Sequence, residues 1–315
     1  MSSSGDLGGA ESPGTVRVIC GPTAAGKSAM AMALAERAGA TIISADARQI
    51  YRGFDIGTAK PGTADRARVP HLGVDVADPA ERWSASRWAA SAAGWLDELA
   101  TTGRAAVVVG GTGFYVQALV TPLAAAPALD AAARTALDVE IGRLPLDEMR
   151  RWCAALDPAR AHLGRTQLLR AIETALLTGT RLSDAHAASP RTPVRVPRYL
   201  VIDPGDALSA RIEARVDGML AGGWVDEVRS LMAQVPTDAP AWNACGYGAL
   251  REHVLGQRSA ADVRQAIIVS TRQYAKRQRT WLRHQLGTAP VTRIDPADPR
   301  HLDAAWAWWT GVQAA

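Results

Sequence analysis

Cysteine is scarce in this chain: Cys20, Cys153 and Cys245 are the only three among 315 residues, and they lie far apart. No Cys-x-x-Cys pair exists, so neither a zinc site nor a disulfide framework is expected, and a reducing, cytoplasmic compartment fits. A continuous apolar run of about 18 residues, which a membrane-spanning helix would need, is also missing. The first 14 residues, MSSSGDLGGAESPG, carry no Lys or Arg and no apolar stretch. They therefore do not read as a signal peptide, and a loose tail is expected. A strong charge of either sign is lacking too. The formal net charge is only +4, so an anionic partner has to be met by local clustering rather than by bulk charge. The hydrophobic fraction of 48% over this length is ample for one large domain or two smaller ones.

The N-terminal third alternates between strand and helix patterns. Residues 15–20 (TVRVIC) form a short β-branched run that ends at Gly21, and an Ala/Met/Leu-rich stretch over 28–38 reads as a helix. Residues 41–45 (TIISA) read as a second strand, delivering Asp46 at its C-terminal end. A helix is expected over 83–99 with Ser84 as N-cap. A third strand over 105–109 (AAVVV) runs directly into Gly110-Gly111-Thr112-Gly113. This order predicts an α/β fold, a P-loop-type parallel sheet core flanked by helices. From 121 to 196 the pattern is helical with no strand (130–143, 146–156, 166–177), and Pro190, Pro193 and Pro197 break the chain before a strand over 198–202. A helical insertion domain over 121–196 is expected. It would divide a core of 15–120 and 197–290, between tails at 1–14 and 291–315. Helices are also read over 208–220, 224–232 and 260–286, and Trp306-Ala307-Trp308-Trp309 reads as a helix docking on the core.

Between the first strand and its helix stands Gly21-Pro22-Thr23-Ala24-Ala25-Gly26-Lys27-Ser28, a Gly-x-x-x-x-Gly-Lys-Ser phosphate loop. Glycines let the backbone wrap an oxyanion, successive N–H groups and the helix N-terminus point at it, Lys27 adds a charge, and the Ser28 hydroxyl can hold Mg²⁺. The loop alone leaves kinases, NTPases and other transferases open. NTPases place a Mg²⁺-binding Asp at the end of another apolar strand, but here the 105–109 strand ends in glycines and the strand-end acid is Asp46. Asp46 is placed to accept a proton; an N-cap or a Mg²⁺ ligand are the other readings. Near the C-terminus, Arg272, Lys276, Arg279 and Arg283 fall on one helical stripe, with Ile267, Thr271, Tyr274, Trp281 and Leu282 broadly opposite. Such a stripe suits a phosphodiester backbone or, more plainly, a solvated surface.

Several segments in this order resemble the tRNA dimethylallyltransferase (tRNA isopentenyltransferase) family: GPTAAGKS (21–28), ISADARQIYRGFDIGTAKP (43–61), VPH (69–71), GGTGFYVQAL (110–119), LLRAIETALLTGTRLSD (168–184), RIEARVDGMLAGGWVDEV (211–228), ACGY (244–247) and TRQYAKRQRTWLRH (271–284). The blocks DIGTAKP and KRQRTWLR are far more specific than the phosphate loop. The resemblance implies transfer of a dimethylallyl group from dimethylallyl diphosphate to N6 of the adenosine at tRNA position 37, 3′ of the anticodon, by an enzyme that discards diphosphate and turns over no ATP. It implies Mg²⁺ on Ser28, diphosphate on residues 21–28, Asp46 as base, Thr112 near the reaction centre and Arg215 on the diphosphate. It further implies tRNA contacts at Asp46, Ala47, Arg48 and Gln49, at Gly246 and Tyr247, and at Lys276, Arg277, Gln278, Arg279 and Arg283. The insertion would grip the anticodon arm through Thr166, Gln167, Leu168, Leu169 and Arg170. A monomer is expected. The chain departs from the family pattern at Ala47, where a serine is usual, at Thr166-Gln167, at Gly248, and in the link 162–165. These departures bear on tRNA specificity rather than on the diphosphate site. An adenylate isopentenyltransferase, a small-molecule or nucleotide kinase, and an RNA-binding protein with a relic loop are the competing readings.

Overall fold

The computed structural model describes residues 14–123, 129–188 and 192–311. Apart from Gly14, the expected N-terminal tail lies outside the described residues, as does Pro190. One sheet holds β1 (Thr15–Cys20), β2 (Thr41–Ser44), β3 (His71–Leu72), β4 (Ala106–Gly110), β5 (Val196–Ile202) and β6 (Val291–Ile294) in the order β3-β2-β4-β1-β5-β6. Every pairing in it is parallel. Parallel strands covered on both faces need apolar side chains in unbroken runs, and Val18, Ile19, Ile43, Val107, Val108 and Leu200 are fully buried. Each such Val, Leu or Ile contributes about 1.5–3 kcal/mol on burial. β1 sits between β4 and β5, with Val18 in register with Val108 on one side and Tyr199 on the other. The C-terminal ends of β1, β2, β4 and β5 therefore share one edge of the sheet, and that edge carries Gly21, Asp46, Gly111 and Asp203.

Two strands were not legible in the sequence. β3 has two residues, too few for any period, and β6 lies in what reads as a C-terminal tail. The 291–315 segment is corrected accordingly: β6 pairs with β5 along Tyr199–Ile202. The helix His301–Thr310 buries Trp308 and Trp309 in the cluster that includes Met30, Leu34 and Ile294. Arg198 donates to the Trp308 carbonyl at 2.6 Å, and Arg37 stacks on Trp306 at 3.9 Å, so the docking helix read from the tryptophans is present. Ser84 caps the helix Ala85–Thr101 by accepting from the Arg87 N–H at 3.1 Å.

The chain divides into two compact units, Met1–Thr121 with Pro193–Ala315, and Pro122–Thr192. In the second, helices Ala131–Ile141, Leu146–Leu156, Arg165–Thr178 and Leu182–Ala188 enclose Ile141, Met149, Cys153, Leu168, Ala171 and Ile172. A carboxylate is buried beside this core: Glu173, 1% exposed, accepts from Arg134 at 3.1 Å and faces Arg170 at 3.6 Å. The expected contact segment 166–170 thus separates into two roles. Thr166 and Gln167 are exposed, whereas Leu168 is core and Arg170 is turned toward Glu173. The reading of Leu168 as a contact side chain is corrected on that ground, since a fully buried leucine presents no surface.

Candidate active site

The phosphate loop joins β1 to the helix Lys27–Ala38. Gly26 adopts φ 102° at the helix start, a conformation that a side chain would strain. Ala24 is held at φ 62° despite its Cβ, and its carbonyl accepts from Arg211 Nε at 2.9 Å. Lys27 Nζ donates to the Pro22 carbonyl at 2.7 Å, which folds the ammonium over the loop. Burial, then the nearby Arg215 cation, lower the Lys27 pKa to about 8, with Asp46 opposing the shift. Burial also lowers the pKa of Arg215, again against Asp46. Two cations and one carboxylate therefore face one another at the loop, an arrangement open to a polyanion.

Asp46 follows β2 on a tight turn. Its Oδ1 accepts from the N–H groups of Arg48 at 2.8 Å and Gln49 at 3.4 Å. These bonds hold the carboxylate as an Asx turn, and Oδ2 takes no bond among the described residues. Thr112, beyond β4, accepts the Ala47 N–H on Oγ1 at 3.2 Å, and its own N–H donates to the Ala45 carbonyl at 3.3 Å. Tyr274, which the helical wheel assigns only to packing, lines the larger site cavity with Thr112 and Asp46, and burial pushes its phenol up to about 12. It stays protonated beside Asp46.

Two cavities meet at these residues. One, about 160 Å³, is lined by Lys27 and Ser28 and, among its apolar walls, by Ala31, Met32, Ile42 and Val109. The other, about 500 Å³, is lined by Ala47, Arg48, Thr112, Cys245, Gly246 and Arg277. Thr23, Asp46, Arg215 and Tyr274 belong to the walls of both. His71 lines the smaller cavity. Burial lowers its pKa, and Nδ1 lies 2.8 Å from the Val69 carbonyl, an arrangement that suits a neutral ring donating from Nδ1 and keeping a lone pair on Nε2.

The specific block DIGTAKP builds the wall rather than the chemistry. Lys60 has a buried side chain that bonds the Tyr51 carbonyl, Asp55 and Asp75. Glu227 accepts the N–H groups of Asp55 at 3.1 Å and Ile56 at 2.7 Å and the Tyr247 hydroxyl at 2.6 Å. Tyr247 is fully buried against Phe54 and Trp224. The reading of its side chain as a tRNA contact is corrected: the ring is core and its hydroxyl is spent on Glu227. Gly246 lines the larger cavity.

The basic stripe on the helix Ala260–His284 is also corrected in part. Arg272 is paired with Glu213, and Arg279 grips Asp203 through both Nε and Nη2 and donates to the Gly205 carbonyl. Gln278, grouped with the tRNA contacts, is buried and turned inward: its Oε1 accepts the Thr23 N–H at 2.8 Å and its Nε2 donates to the Gly111 carbonyl at 2.9 Å. Lys276, Arg277 and Arg283 remain exposed. Sequence reasoning passed over Tyr274, Glu227 and Arg211. For Tyr274 and Arg211 a signal existed, since each lies four residues before a named residue, Gln278 and Arg215, and so on the same helix face.

Known proteins bear on this arrangement. The IPP transferase family pattern matches residues 49–285, and the isopentenyl transferase pattern matches 14–69. A tRNA dimethylallyltransferase of Anaeromyxobacter sp. (strain K) is 42% identical over 91% of this chain and 94% of its own length. One from Halorhodospira halophila is 43% identical over 89% and 94%. Among solved structures, a tRNA isopentenylpyrophosphate transferase from Bacillus halodurans superposes with a TM-score of 0.67 at 29% identity, covering 95% of this chain and 96% of that one. A eukaryotic dimethylallyltransferase acting on tRNA shares the fold, with a TM-score of 0.73 at 24% identity over 89% and 73%. The chain belongs to the tRNA dimethylallyltransferase family.

Proposed function

We infer that this protein transfers the dimethylallyl group of dimethylallyl diphosphate to N6 of adenosine 37 in tRNA. The observation that carries the reading is the position of Asp46 on the wall common to the two cavities. The smaller cavity brings Lys27 and Arg215 together with the apolar side chains of Ala31, Met32, Ile42 and Val109, which suits a diphosphate bearing a five-carbon chain. The larger suits a base taken out of its stack, as chemistry on a base requires.

In the reaction the C1–O bond of the donor breaks and C1 bonds to N6. An allylic carbon tolerates positive charge, so diphosphate departure runs ahead of attack. Lys27, Arg215 and the loop amides meet the charge that grows on the leaving oxygen. Asp46 accepts the N6 proton through Oδ2 while the Arg48 and Gln49 N–H groups hold Oδ1. Thr112 braces the turn that carries Asp46 through the Ala47 N–H, and the protonated Tyr274 stands beside it on the same cavity wall.

A Mg²⁺ ion fits the donor set. No group of three His, Cys, Asp or Glu among the described residues could hold a metal, but Mg²⁺ commonly takes one or two protein oxygens and fills its shell with phosphate oxygens and water. The Ser28 hydroxyl, on the smaller cavity beside Lys27, would hold it. When bound it supplies further neutralisation of the diphosphate. One copy of the chain lines both cavities, and we take the monomer to be the working unit.

The test gives purified protein labelled dimethylallyl diphosphate, Mg²⁺ and either unmodified tRNA or AMP. Label on tRNA adenosine is expected. Label on AMP alone, or ATP turnover in place of prenyl transfer, would overturn the reading.

A further inference from the structure

Gln278 occupies an unusual place for a residue of a basic surface helix. It is 6% exposed, and both ends of its carboxamide are spent on backbone groups of two different loops. Thr23 belongs to the phosphate loop after β1, and Gly111 to the turn after β4 that leads to Thr112. β1 and β4 pair directly, up to Cys20 and Gly110, and the strand ladder ends there. The carboxamide continues the tie. The fit is close: a Cβ on Gly111 would come within 2.1 Å of Gln278 Nε2. One helical turn earlier, Tyr274 lines the larger cavity together with Thr112. The helix therefore ties Thr23 and Gly111 together through one inward-turned side chain, while the neighbouring Lys276 and Arg277 are exposed.

We propose that Gln278 is a positioning residue for the transfer reaction, one that fixes the phosphate loop against the Thr112 turn and couples the exposed acceptor-side helix to the diphosphate site. The role needs one acceptor and one donor in a single planar group. Glutamine supplies both, ionised glutamate only the acceptor, and methionine neither in useful strength. Losing the tie misplaces the donor phosphates relative to Asp46, and small misplacements of reacting groups cost about 10²-fold in rate.

The test uses the full-length enzyme with Gln278→Glu and Gln278→Met. Turnover at saturating tRNA should fall about 10- to 100-fold in both, and inorganic diphosphate should bind more weakly, with tRNA affinity unchanged. The pH dependence separates positioning from mere packing. In Gln278→Glu the introduced carboxylate, when ionised, opposes the Gly111 carbonyl; once protonated, it can donate to that oxygen and still accept from Thr23. Burial against a carbonyl raises a carboxyl pKa above its usual value of about 4.3. The ratio of Gln278→Glu to wild-type turnover should therefore climb as pH falls from about 8 to about 6, while that of Gln278→Met stays flat.

A flat ratio for the glutamate variant, or a loss of tRNA affinity at normal saturated turnover, would overturn the proposal. Should Gln278→Glu fail to fold, Gly111→Ala crowds the same contact from the other side. Its cost and that of Gln278→Met should not add in the double variant, and simple additivity would overturn the coupling. The inference rests on the prenyl-transfer reading, but diphosphate affinity reports on Gln278 even if the wild-type protein transfers no prenyl group.

Discussion

Ala47 donates its backbone N–H to Thr112 Oγ1 at 3.2 Å, and this bond joins the turn that carries Asp46 to the turn that follows β4. It stands at the position where a family serine would add a hydroxyl. With alanine here, the backbone contact remains and Thr112 is the group that anchors the turn. Replacing Thr112 by valine removes the acceptor and leaves a half-buried N–H unpaired, a cost of about 1–3 kcal/mol. Turnover should drop by at least about tenfold, with a lower melting temperature. Unchanged turnover in Thr112→Val would remove the threonine from the positioning of Asp46.

Asp46→Ala should lower turnover by about two to four orders of magnitude, the usual range for a positioned base. tRNA binding, measured by filter retention, should persist. Near-normal turnover would take Asp46 out of proton transfer and return it to the role of a turn-former.

Lys27 gives donor binding a pH dependence. Its free-enzyme pKa of about 8 is lowered by burial and Arg215, and a bound diphosphate would raise it. Below about pH 8 the ammonium is already present, so affinity for dimethylallyl diphosphate should be level. Above that pH binding must take up a proton, so affinity should fall by up to about tenfold per pH unit. Lys27→Arg keeps its charge throughout and should flatten the profile. A wild-type profile that stays level to about pH 9.5 would contradict the lowered pKa.

The cations of the C-terminal helix should divide in salt-dependence experiments. Lys276→Ala and Arg283→Ala should each weaken tRNA binding and reduce the slope of log K against log salt by about 1 for each RNA phosphate no longer neutralised. Arg279 is engaged by Asp203 and Gly205, so Arg279→Ala should lower thermal stability and leave the slope nearly unchanged. A slope change for Arg279 equal to that for Lys276 would put its charge on the RNA.

Glu227 supports the 54–60 loop by accepting the N–H groups of Asp55 and Ile56, and it accepts a third hydrogen bond from the Tyr247 hydroxyl. Glu227→Ala should destabilise the fold by about 2–4 kcal/mol, since hydrogen bonds to a charged acceptor contribute about 1.5–3 kcal/mol each and losses are rarely additive. Thermal melts without substrate read this directly, and an unchanged melting temperature would remove the anchor.

Local patterns decided much about this protein before any tertiary contact entered. The β-branched run 15–20, the glycine loop and the following helix follow from backbone preferences and a 3.6-residue period, and they placed the phosphate loop and Asp46 on the C-terminal edge of a parallel sheet. The same logic placed Ser84 as a cap and the tryptophans of 306–309 against the core. What tertiary structure decided is which side of an amphipathic helix meets which partner. A helical wheel fixes the angles between Arg272, Gln278 and Arg279, but the groups that meet them stand far away in sequence: Glu213 is 59 residues from Arg272, Asp203 is 76 from Arg279, and Thr23 is 255 from Gln278. A period reports the spacing of side chains and carries no information on distant partners. For that reason a stripe legible as four free cations folded into two paired and two exposed, and a glutamine grouped with the surface became the tie between the phosphate loop and Thr112.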